Sequence, residues 1–150
     1  MKLLNKNTDH FQFQLAPREK DLLLQLLQLY PQVPAEYQRL TKKPDAEDAN
    51  QHLLDEALQE TRSENKKQLQ AMLSDPERLG PLEQNWLLNL TESELDWLLQ
   101  ILNDIRVGSW VQLGSPESPI EMLTASNAPH FWALEMAGYF QGNFLEVLDG

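Results

Sequence analysis

The chain predicts a mainly α fold, a single-domain helical bundle over residues 1–150, packed around one long central helix at about 91–113 and preceded by a short N-terminal strand or extended arm. Three observations lead there. Thr91 to Gly114 carries helix signals at both ends with an apolar stripe between them. The stretches 17–30 and 129–148 are rich in leucine or aromatic residues at helical spacing. Only Phe11-Gln12-Phe13-Gln14-Leu15 alternates apolar and polar residues, the period of a half-buried strand.

The central helix is the best-marked element. Thr91 and Glu94 have the spacing of a capping box, in which a hydroxyl and a carboxylate each satisfy a backbone N–H with no intrahelical partner. Leu90 and Leu95 stand where a hydrophobic staple would fix the entry angle. Gly114, with Pro116 two residues on, supplies the stop. Leu95, Leu98, Leu99, Leu102 and Ile105 form the buried stripe, and Trp97, Ile101 and Trp110 widen it, so neighbouring elements must wrap this helix.

The remaining elements follow in order. Phe11, Phe13 and Leu15 lie on one face of the arm, which needs a second extended segment to pair with, from this chain or another copy. Pro17 suits a first helical position, and the leucine run from Leu22 to Leu29 ends before Pro31. A longer helix is expected from about 45 to 73, with apolar ends and a wholly polar middle from Gln59 to Gln68 that is either solvated or broken. The stretch 74–81 reads as a connection, and Trp86-Leu87-Leu88 as the lead into the central helix. Ser118-Pro119-Ile120-Glu121 predicts a helical turn near Met122, and Asn127 a cap for the last helix. In that helix Gly138 and Gly142 predict close approach of another helix backbone, from the central helix or a second subunit.

Composition narrows function by exclusion. The chain has no cysteine, so disulfides, zinc–thiolate sites and thiol nucleophiles are absent, and no run has membrane-spanning length free of charge; the reading is cytoplasmic. Net charge is −11 and uneven. From Leu79 onward Arg106 is the only Lys or Arg, against ten carboxylates, which disfavours nucleic acid as a partner because such binding draws on clustered cations. Asp48, His52, Glu56 and Glu60 recur every four residues, but one helix face rarely closes a metal site. They read as a solvated acidic face, and no metal or cofactor is expected.

Arg106, alone in an acidic field, is expected to join another helix through a carboxylate partner, the commonest use of a partly buried guanidinium. With Asn103 and Asp104 it makes a candidate polar cluster. Trp132, Met136, Phe140 and Phe144, four residues apart on the last helix, make a candidate interaction surface.

Two segments resemble an uncharacterised bacterial family, the domain of unknown function numbered two thousand and seventeen. Trp97-Leu98 with Leu102-Asn103-Asp104-Ile105-Arg106 is similar to its tryptophan, leucine-asparagine-aspartate and arginine pattern, and Glu36-Tyr37-Gln38-Arg39-Leu40-Thr41 to an earlier segment of that family. The resemblance implies a mostly helical cytosolic protein without assigned activity, encoded near the adaptor of the Clp protease. It also implies that Glu36 and Arg39 join Asn103, Asp104 and Arg106 in one polar cluster. Gly108, Trp110 and the aromatic last helix depart from the pattern.

The leading expectation is therefore a protein-interaction or adaptor module with a protein partner, linked through the resemblance to Clp-type quality control. The alternative is a small-anion-binding protein or enzyme using Asn103, Asp104 and Arg106. Self-association as a homodimer is compatible with either.

Overall fold

The computed structural model describes residues 1–6, 9–34 and 48–149. It replaces the expected all-helical bundle with a mixed α/β fold. Four antiparallel strands, β1 (Lys2–Lys6), β2 (His10–Leu15), β3 (Leu79–Leu82) and β4 (Asn85–Thr91), form one sheet in the order β1-β2-β4-β3. The helices are α1 (Pro17–Leu27), α2 (Asp48–Ser74), α3 (Glu92–Gln112) and α4 (Ala128–Asp149), with a 3₁₀ turn at Pro119–Met122.

The arm behaves as its alternation requires: Phe11, Phe13 and Leu15 are buried while the residues between them are half-buried. Its partners come from the same chain. Phe11 lies opposite Leu90, Phe13 opposite Leu88 and Leu15 opposite Trp86 in β4, so one sheet face is an unbroken apolar surface. On its other side β2 pairs with β1, with a register shift between Leu3 and Asn5.

Two features hid β3 and β4. Their hairpin turns at Glu83-Gln84, with Glu83 at φ 55°, and so lacks the Asn-Gly or Asp-Gly chemistry that marks a tight turn in sequence. Pro81 resembled loop punctuation, yet β3 is an edge strand, where a missing N–H breaks no ladder.

The helices complete the core. α3 begins with the expected reciprocal cap: Thr91 Oγ1 accepts from the Glu94 N–H (3.1 Å) and Glu94 Oε1 from the Thr91 N–H (2.9 Å). Leu95, Leu98, Ile101, Leu102 and Ile105 are buried in a single cluster with the sheet face and with Leu23 and Leu26 of α1. α4 joins this cluster through Ala133, Ala137, Phe140 and Phe144; Phe144 meets Phe13 edge-to-face, with ring centroids 5.0 Å apart.

α2 runs unbroken for 27 residues, polar middle included. Its half-buried positions Leu58, Arg62 and Asn65 repeat at four- and three-residue steps and lead to the buried Leu69 and Met72. The polar members are bonded. Asn65 Nδ2 donates to the Tyr30 hydroxyl (2.9 Å), Trp97 Nε1 donates to Asn65 Oδ1 (3.0 Å), and Arg62 Nη2 donates to the Val33 carbonyl (2.6 Å). The helix persists because its polar side is docked by hydrogen bonds.

Among the described residues no helix is long and apolar enough to cross a membrane.

Candidate functional site

α3 presents two different polar edges. On the first, Asp104, Gly108 and Gln112, four residues apart, receive the segment that follows the cis Tyr30–Pro31 bond. Asp104 Oδ1 accepts from the Gln32 N–H (2.7 Å) and, more weakly, from the Val33 N–H (3.4 Å). Gln112 Nε2 donates to the Gln32 carbonyl (2.8 Å) and to Gln32 Oε1 (3.0 Å). Gly108 lies between these contacts because nothing larger fits: a Cβ there would sit 2.2 Å from the Gln32 carbonyl carbon and 2.4 Å from the Val33 nitrogen. This edge clamps backbone, and it occupies Asp104.

The second edge carries Asn103, Arg106, Val107 and Trp110 and faces α4. Between the two helices lies a cleft of about 670 Å³, lined also by Pro116, Glu117, Leu134, Glu135, Gly138 and Tyr139. Along α3 it extends from Asn103 to Trp110, roughly 10 Å at the helical rise. The glycine spacing in α4 therefore marks an opening. A Cβ at Gly138 or Gly142 would meet nothing within 4 Å, so neither the central helix nor any other described element approaches there, and the expected close contact within the chain is not formed.

Both aromatic walls of the cleft are fixed by their polar ends. Trp110 Nε1 donates to the Pro116 carbonyl (2.9 Å), closing the turn in which Gly114 and Ser115 take positive φ. The Tyr139 hydroxyl donates to Glu19 Oε2 (2.8 Å), and its ring stands edge-to-face with Phe140 at 5.1 Å. The rings remain open, with Trp110 38% and Tyr139 45% exposed and Val107 beside them at 39%. Partly exposed aromatics held in one rotamer bind with little loss of side-chain entropy.

The predicted site residues separate on this frame. Arg106 is exposed and donates from Nη1 to Gln141 Oε1 (3.1 Å), and Gln141 in turn reaches Asn103 Oδ1 (3.4 Å). Among the described residues it has no carboxylate partner, so the expected interhelical ion pair is replaced by a neutral amide clasp. Asp104 belongs to the other edge, and Glu36 and Arg39 lie outside the described residues. Arg106→Gln is accordingly expected to change unfolding free energy by less than about 1 kcal/mol, as for other exposed polar substitutions. Urea denaturation beside the wild type checks this.

The aromatic row of α4 is also placed differently from the expectation. Phe140 and Phe144 are fully buried, and Trp132 and Met136 pack partly buried against the same core. The exposed aromatic surface lies around the corner, at Tyr139 and Trp110. The pairing of Gly138 with Gly142 was the sequence signal nearest to it; Val107, Pro116 and Glu117 gave none.

Glu19 links the cleft to α1. Burial alone would raise its pKa, but hydrogen bonds from the Met1 amino group, the Ala16 N–H and the Tyr139 hydroxyl together hold it below 4.5. The Tyr139 hydroxyl is pushed above 10.0, first by that hydrogen bond to Glu19 and then by burial. For Glu19 the stabilisation is complete above its ordinary pKa and disappears as pH falls through the depressed folded value. For Tyr139 it is complete below about 10 and disappears as pH rises through the elevated one. The melting temperature of Tyr139→Phe should therefore lose less on alkaline titration than that of the wild type, and that of Glu19→Gln less on acid titration.

Among the described residues no group of three or more His, Asp or Glu is arranged to hold a metal ion; His52 and Glu56 on α2 form only an exposed pair at 3.0 Å. Compared with family models, curated proteins and solved structures, the chain matches none.

Proposed function

We propose that the chain is a protein-interaction module whose docking site is the α3–α4 cleft. The observation that carries this reading is the pair of aromatic rings, Trp110 and Tyr139, each held by a hydrogen bond at its polar end and each open to the cleft, beside Gly138, whose missing side chain no part of the described chain replaces. An anchored aromatic beside an uncovered backbone is what a side chain from a partner needs: apolar area to bury and room to approach.

The anion-binding or enzymatic alternative is less well supported. Asp104 is occupied by the Gln32–Val33 backbone, and Glu117 and Glu135 share the cleft with Arg106, which would oppose an anion. The resemblance to the uncharacterised family extends the proposal to a partner in Clp-type protein quality control.

Photocrosslinking tests the docking site. A benzophenone side chain at Val107, in the cleft, should give a defined crosslinked partner in the native cell. The same group at Lys67, exposed on α2, should not. Gly138→Leu in the Val107 probe should remove the product by filling the cleft. Equal products from both probes, or a Val107 product indifferent to Gly138→Leu, would count against the cleft.

A further inference from the structure

We infer that the occupant of the α3–α4 cleft is a basic peptide segment in which an apolar anchor residue is flanked by lysine or arginine. This rests on the docking reading above and adds the chemistry of the partner. The first ground is charge. Glu117 and Glu135 line the cleft, and among the described residues neither has an ion pair. Arg106 is the one cation of the lining and keeps its charge, since its partner Gln141 is neutral, so the two carboxylates leave the lining net acidic by one charge. The whole C-terminal half is acidic beyond the cleft itself, with Arg106 the only Lys or Arg from Leu79 onward. A cationic segment is attracted to this surface from a distance and an acidic one repelled.

The second ground is the kind of apolar wall. Trp110 and Tyr139 line the cleft with exposed aromatic rings, a ring type that attracts a guanidinium or ammonium as well as an apolar side chain. Carboxylates beside open aromatic rings suit a long cationic side chain, whose stem lies on the rings while its head reaches an acid. Glu117 follows Pro116, the residue that holds Trp110, so a carboxylate and a ring are adjacent at that end of the cleft.

A second copy of this chain fits less well, because each copy carries a net charge of −11 and would bring carboxylates to carboxylates. Nucleic acid is disfavoured on the same ground.

The test is selection of a displayed random peptide library on the full chain, followed by titration of the recovered peptides. Peptides with Lys or Arg flanking a Leu, Phe or Trp should be enriched. Their affinity should fall about tenfold on Trp110→Ala, a truncated aromatic anchor, and further weaken on Gly138→Leu. Glu117→Gln with Glu135→Gln should cost about fivefold and flatten the loss of affinity between about 50 mM and about 500 mM salt. Recovered peptides that require Trp110 but are acidic or neutral, and ignore the Gln substitutions, would overturn the basic partner while leaving the cleft as the docking site. Peptides that bind every variant alike, or no enrichment at all, would overturn both. Sedimentation showing a dimer dispersed by Gly138→Leu would make the occupant a second copy and overturn the inference.

Discussion

Phe144→Ala is expected to lower unfolding free energy by about 3–5 kcal/mol, a large share of the roughly 5–15 kcal/mol that holds a domain folded. The Phe144 side chain is fully buried and bridges two layers, from α4 to Phe13 on the strand that lies inside the sheet. Its removal takes away the transfer free energy of the ring and leaves a cavity that Ala137 and Phe140, fixed on the same helix, cannot refill. Chemical denaturation gives the magnitude. A loss of less than about 1 kcal/mol would mean that α4 does not pack through this face and that the aromatic row is available at the surface. The distinction bears on any interaction screen: an alanine at Phe140 or Phe144 weakens the packing beneath the site, so loss of partner binding there does not report on the interface itself.

Gly108→Ala should destabilise by about 2–3 kcal/mol, although alanine is the better helix former by ~1 kcal/mol. The added Cβ would overlap backbone atoms of Gln32 and Val33, which have no flexible end to swing aside. The 31–34 segment would have to lift from α3, releasing the Gln32 N–H from Asp104 and the Gln32 carbonyl from Gln112. Proteolysis of that segment under native conditions should accelerate with the stability loss. Gly138→Ala gives the opposite sign, since its Cβ meets open space in the same kind of helix: stability should rise by ~1 kcal/mol. If the two glycines behaved alike, the clamp and the cleft would not differ as described.

What the sequence made legible was local. The α3 cap rests on Thr91 and Glu94, residues in contact three apart, and the strand Phe11–Leu15 on its own alternation; both hold in the structure. The sheet was missed because its other members depend on distant partners. Trp86-Leu87-Leu88 is a continuous apolar run whose strand character appears only once Phe13 and Leu15 lie opposite, and Pro81 is compatible with a strand only because β3 is an edge. The site divides in the same way. Asn103, Asp104 and Arg106 lie within four residues of sequence, but a helix turns about 100° per residue, so Asp104 faces a different neighbour from the other two. Gly138 and Gly142 announced missing side chains without saying whether the space was filled. Trp110 and Tyr139 could not be joined, because their common cleft depends on how α3 and α4 pack together.

Backbone amide shifts of the isotopically labelled chain, titrated with the tightest peptide from the displayed library, test the docking site most directly. The changes should concentrate at residues 103–110 of α3, at Glu117 and at residues 134–139 of α4, and should vanish in Gly138→Leu while that variant keeps the wild-type spectrum elsewhere. Changes centred instead on the exposed Leu53 and Leu54 of α2, with the cleft undisturbed, would contradict the assignment of the α3–α4 cleft as the interaction site.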